Sequence, residues 1–184
     1  MIRARALVVL PDEDARLNLL GARIPNGKVD ISTSVVPEID ISYFFTRNVA
    51  VELIAGVTRH KVKGAGALAG TPVGNTWLLP PTLTVQYHFT ELGAFKPYVG
   101  VGVNYTTYFG EQARGPWTRF RLSDTWGLAL QAGADFMIDK HWGINIDVKK
   151  ILFMEPHVSL DRRTVAGRVT IDPLLIGTGI TYKF

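Results

Sequence analysis

The stretch Leu174-Leu-Ile-Gly-Thr-Gly-Ile-Thr-Tyr-Lys-Phe184 decides how the chain folds. Counted back from the end, Phe184, Tyr182, Ile180, Thr178, Ile176 and Leu174 form one alternating series. Lys183, Thr181, Gly179, Gly177 and Leu175 form the other. Side chains of a strand alternate between two faces, so one face here is apolar and aromatic-ended while the other is small or polar. The same alternation recurs in eight segments: 2–10, 35–45, 49–59, 76–89, 97–109, 121–138, 142–154 and 173–184. Helical periodicity is scarce. "FTRNV" (45–49), "TELGAFK" (90–96) and "DKHWG" (139–143) join segments at one end. Longer connections, 11–34, 60–75, 110–120 and 155–172, join them at the other. Short turns at one end and long loops at the other describe an up-and-down antiparallel barrel.

Which face points inward follows from volume. The apolar series includes Val35, Ile39, Ile41, Leu53, Leu83, Val85, Val99, Val101, Leu130, Ile144 and Ile146. Aromatic residues gather at its ends, Tyr43, Phe45, Tyr87, Phe89, Phe136 and Trp142 near the short turns, Tyr105, Phe109 and Trp126 toward the long loops. The opposite series carries charges and glycines, among them Gly100, Gly102, Gly133, Gly177 and Gly179. Eight strands enclose a lumen just wide enough for side chains. The bulky series would overfill it, whereas glycine and paired charges fit. The apolar face therefore points into lipid between two aromatic girdles. A soluble lipocalin-like barrel would need polar residues on that face, and Lys150 is its one charge, placed to snorkel. The expected fold is an all-β, eight-stranded antiparallel up-and-down transmembrane β-barrel, one domain over 1–184.

Composition agrees. The 184 residues are 47% apolar with a formal charge of +4 and no cysteine. No apolar run reaches the length of a membrane-spanning helix, which leaves the barrel open, since barrel strands need about 9–11 residues. Basic residues are scattered, so nucleic-acid binding is not expected. The four histidines lack metal-ligand spacing, no Gly-x-Ser-x-Gly is present, and "GVGVNY" (100–105) lacks a dinucleotide fingerprint. No metal, no cofactor and no catalysis are expected. Met1 is followed directly by "IRARALVVL" without a cleavable leader, as in a mature form.

Several ordered blocks, "VAVELIAG" (49–56), "RHKV" (59–62), "LPPTLTVQYHF" (79–89), "KPYVGVGVNYTTYF" (96–109), "SDTWGLALQAGADFMIDKHWGINIDVKKI" (123–151) and "DPLLIGTGITYKF" (172–184), resemble the outer membrane protein W family. The resemblance spans about residue 30 to the end. It implies a barrel of the Gram-negative outer membrane that passes small hydrophobic molecules, with relatives associated with alkane and aromatic-hydrocarbon uptake. It further implies insertion by the barrel-assembly machinery, with Phe184 as the membrane-assembly terminus. Loop 11–34 resembles the family poorly.

Depth along the strands divides the lumen. Arg3, Arg5, Glu52, His88 and Asp135 lie near the short turns, with Asp40, Asp147 and Lys149 at mid-depth. This polar floor is expected to be a plug of mutually neutralised charges. Above it Leu7, Val9, Val36, Leu78, Ile151, Phe153 and Leu175 form an apolar funnel, with Gly56 and Gly127 leaving room. An apolar solute could not cross the floor without large desolvation loss. "LPPTL" (79–83) offers another way out, because Pro80 and Pro81 cannot donate to a ladder. The expected function is passive uptake of small hydrophobic solutes, entering from outside and leaving through a lateral gate at Pro80 and Pro81 into the lipid bilayer. A narrow ion pore, or a structural or receptor barrel binding partners through long loops, is the alternative. One chain closes the barrel, so a monomer is expected.

Overall fold

The computed structural model describes residues 1–20, 22–161 and 165–184. Its strands run in chain order as β1 (Ile2–Leu10), β2 (Glu13–Leu19), β3 (Ala22–Arg23), β4 (Gly27–Ile31), β5 (Ser34–Phe44) and β6 (Val49–Ala55). Then follow β7 (Thr58–Gly66), β8 (Pro72–Leu79), β9 (Thr82–His88), β10 (Phe95–Ala113) and β11 (Phe120–Leu122). The last are β12 (Thr125–Met137), β13 (Trp142–Leu152), β14 (His157–Leu160), β15 (Val165–Ile171) and β16 (Leu174–Tyr182). Eight of them, β1, β5, β6, β9, β10, β12, β13 and β16, pair antiparallel in a closed ring. The first and last meet in register, Ile2 opposite Tyr182. Closure leaves no sheet edge, as a spanning barrel requires.

The face assignment holds. Ile39, Val101 and Ile146 are 58%, 51% and 61% exposed, while Arg3, Asp40, Glu52 and Asn145 are 0% exposed inside. The short turns are closed by side chains that prefer local backbone bonds. Asp139 accepts from the His141 and Trp142 N–H groups at 2.7 Å each, and Thr46 accepts from Asn48 and Val49. Gly133 is required by packing rather than by a turn. A β-carbon there would lie 2.5 Å from the Tyr98 hydroxyl, so glycine admits the tyrosine into the lumen.

The four long connections are not loops but upward continuations of the strands. They form two separate sheets, β4–β7–β8 with the end of β10, and β11–β14–β15–β2–β3. The two sheets pack through Leu17, Val29, Val62, Phe120, Val158 and Val165. Seven of the eight walls break at about one height, at Pro11, Ser32, Gly56, Pro80–Pro81, Ser123, Phe153–Pro156 and Asp172–Pro173. Prolines at four of these places withhold ladder donors. Only β10 runs through, shifting register between Phe109 and Gln112. The upper sheets form because their short strands bury valine and leucine against each other. Neither sheet has an apolar run long enough to mark it alone.

Candidate functional site

Two arginines from β1 organise the lower lumen. The Arg3 guanidinium donates to both Asp135 oxygens, at 3.0 and 2.7 Å, pairs with Glu52, and lies 4.7 Å over the Tyr98 ring. Arg5 reaches Glu38 at 3.2 Å, Asp40 at 2.5 Å and Asp147 at 3.1 Å. Amides complete the layer. Gln86 donates to Glu52 at 2.7 Å, and Gln131 donates to Glu52 at 3.0 Å and Asp147 at 2.8 Å. Tyr98 donates to Asp147 at 2.6 Å, and His88 stacks on its ring at 4.9 Å. These side chains are buried and bonded to one another across the lumen.

All eight expected floor residues take part in or border this layer. Its charges do not balance, however. Arg3, Arg5 and Lys149 face five carboxylates, those of Glu38, Asp40, Glu52, Asp135 and Asp147. Tyr98 was not among the expected floor residues, although its position between the outward Pro97 and Val99 puts it on the lumen face. The facing Gly133 was the available signal.

Above the floor lies a mostly apolar cavity whose interatomic space is about 1060 Å3, part of it open to solvent. Leu7, Val9, Val36, Leu78, Ile151 and Leu175 line it as expected, together with Ile54 and Tyr108. Phe153 does not. Its backbone takes the left-handed conformation at the wall break (φ 64°), which turns the ring outward to 70% exposure. Gly127 does not enlarge the cavity either, since Ile151 and Met154 fill the space its β-carbon would need. The cavity is roofed as well. Val29, Val62, Val158 and Val169 line it from above and belong to the core joining the two upper sheets.

The wall beside the cavity is incompletely paired. Between strands 2 and 3 of the barrel, the β5–β6 ladder stops at Ile39 opposite Ala55, and pairing resumes at Ile31 opposite Val62. Between strands 3 and 4, pairing stops at Ile54 opposite Thr82 and resumes at Thr58 opposite Leu78. Gly56 and Val57 thus fall outside both ladders. Pro80 and Pro81 border this opening, but their other side is held. Tyr105 N–H donates to the Pro81 carbonyl at 3.0 Å and the Asn104 amide to the Pro80 carbonyl at 3.2 Å. At the upper rim the buried His60 ring bridges the gap, Nδ1 donating to the Ser32 carbonyl at 2.8 Å with Nε2 3.5 Å from Ser34 Oγ. Pro37, Gly56 and Pro80 all line the cavity, so it abuts the gap directly. Lys150, outside, bonds to the Asp172 carbonyl and pairs with Asp12 at 3.4 Å, at the head of the spanning region.

Comparison with known proteins agrees with this geometry. The model of the OmpW family matches residues 1–184. An uncharacterized outer-membrane protein, y4mB, of Sinorhizobium fredii is 47% identical across 100% of this chain and 79% of its own length. The dibenzothiophene metabolism operon protein PahQ of Pseudomonas aeruginosa is 34% identical over 94% of this chain and 82% of its own. The crystal structure of the outer membrane protein OprG from Pseudomonas aeruginosa superposes with a TM-score of 0.91 at 30% identity, covering 100% of this chain and 94% of that one.

Proposed function

Because the chain belongs to the OmpW family of Gram-negative outer-membrane barrels, we propose that it admits small hydrophobic molecules and releases them sideways into the bilayer. One observation carries this reading: the apolar cavity ends on a closed polar floor and abuts, at Gly56, an unpaired part of the wall. Taking an apolar solute through the floor would strip charged groups of partners. Moving it past Gly56 disturbs no ladder bond. The gate is framed by Pro37, Gly56, Val57, Pro80 and Pro81, wider than the two prolines alone.

Entry is from above. Among the described residues the two upper sheets share no ladder across their seams, and a glutamate crosses each seam. Glu13 accepts from Ile31 N–H at 3.2 Å and Glu111 accepts from Leu122 N–H at 3.4 Å. Parting the sheets there admits a solute between their valines. The relative PahQ is named for a dibenzothiophene metabolism operon, and dibenzothiophene is a flat apolar heterocycle, which supports a solute of similar character here. We read the chain as a non-catalytic monomer inserted by the barrel-assembly machinery, with Phe184 exposed just past β16 for that contact. A conducting ion pore is disfavoured by the closed floor.

The prolines give a test. Pro80→Ala and Pro81→Ala each restore a backbone donor beside the gap. A hydrogen bond gained there is worth about 0.5–1.5 kcal/mol, so uptake of an apolar fluorophore by proteoliposomes should slow by about two- to twelvefold. Uptake at the wild-type rate in both variants would remove the prolines from the gate.

A further inference from the structure

At the boundary between cavity and floor, one ammonium of the charge layer also faces the apolar cavity. Lys149, on β13, is 1% exposed and lines the apolar cavity. Its Nζ makes no hydrogen bond among the described residues. Its ion partner, Glu38 on β5, is 3.6 Å away, beyond hydrogen-bonding distance, and is itself drawn toward Arg5 Nε at 3.2 Å. Glu38 lines the cavity too. A buried ammonium with unused donors beside a carboxylate is costly unless something completes it.

We propose that Lys149 and Glu38 form a head-group site for hydroxyl-bearing apolar molecules such as medium-chain alcohols. A hydroxyl is both acceptor and donor. It accepts from Lys149 Nζ and donates to Glu38; two bonds of about 2.8 Å at the near-tetrahedral angle of a hydroxyl span about 4.6 Å, so the partners, 3.6 Å apart, separate by about 1 Å to seat it. The tail then lies upward among Leu7, Ile54, Leu78 and Ile151. The charge balance selects the neutral head group. Three basic side chains face five acidic ones in this layer, so acidic groups already outnumber basic ones around the site. A fatty-acid anion would add a further negative charge. A pure hydrocarbon would leave Lys149 and Glu38 as they are.

The site rests on the uptake reading, because the tail must occupy the same cavity. The protein in lipid nanodiscs, with 15N at lysine Nζ, would be titrated with hexane, 1-hexanol and hexanoate. Hexane should bind without moving the Lys149 resonance, 1-hexanol should move it, and hexanoate should not. In Lys149→Met, 1-hexanol affinity should fall about tenfold relative to hexane affinity, the effect of losing a hydrogen bond to a charged group. Hexane binding with no response of Lys149 to 1-hexanol would overturn the head-group site and leave the uptake reading intact. A response to hexanoate equal to that of 1-hexanol would overturn the choice of a neutral head. No hexane binding at all would overturn the cavity reading and this site with it. The wild-type titration stands even if the variant fails to fold.

Discussion

Arg5→Met is expected to cost the barrel about 3–5 kcal/mol of folding stability in lipid, the usual consequence of removing one partner from buried ion pairs. Arg5 pairs with Glu38, Asp40 and Asp147, with Glu52 at 3.6 Å. Methionine fills a similar volume, so the loss is electrostatic rather than a cavity. Five carboxylates would then crowd one layer with Arg3 and Lys149 as the remaining cations, and water would enter to solvate them. Reversible urea unfolding in bilayers reads the stability directly. Ion conductance through the variant, absent from the parent, would accompany it. A loss below about 1 kcal/mol, the range of exposed pairs, would mean that the floor is solvated and not a seal.

Gly56→Phe should leave folding intact and slow hydrophobic uptake more than any proline substitution. A β-carbon at Gly56 meets only the Pro37 carbonyl, at 3.4 Å, an ordinary contact. The ring therefore has room, and the room it takes is the proposed exit. A solute forcing past it pays an overpacking cost of about 1–3 kcal/mol, which slows transfer by about five- to 150-fold. The heat-modifiable gel shift of the folded barrel should be unchanged. Normal uptake with normal folding would place the exit elsewhere in the wall.

The two substitutions separate seal from exit, and the sequence made these two features legible to different degrees. Alternation placed Arg3, Arg5, Glu52, Asp135 and Lys149 inside, since a strand's two faces can be read from one residue in two. The prolines marked wall breaks for the reason they marked a gate: each lacks a ladder donor. What alternation cannot reveal is contact across the lumen. Lys149 and Glu38 lie on β13 and β5, separated around the ring by β16 and β1, and meet only because the barrel is narrow. The gap at Gly56 and Val57 arises from two ladders ending on either side of one strand, and no local signal encodes that. The upper sheets were misread as loops because stretches such as "KVKGAGALAG" (61–70) are rich in glycine and lack a long alternating run. Their strands are stabilised by packing against the opposite sheet. Phe153 fell on the wrong face for a simple reason: one left-handed residue at a break reverses the alternation after it.

The central claim is that the solute leaves through the wall and never crosses the floor. Stopped-flow transfer of an apolar fluorophore into proteoliposomes, with a membrane-impermeant quencher trapped in their aqueous interior, tests it most directly. Lateral release predicts that bright, bilayer-type emission rises first and stays unquenched, while conductance stays at the level of protein-free vesicles. Quenching that appears together with the earliest emission would mean passage through the floor into water, and would contradict the account.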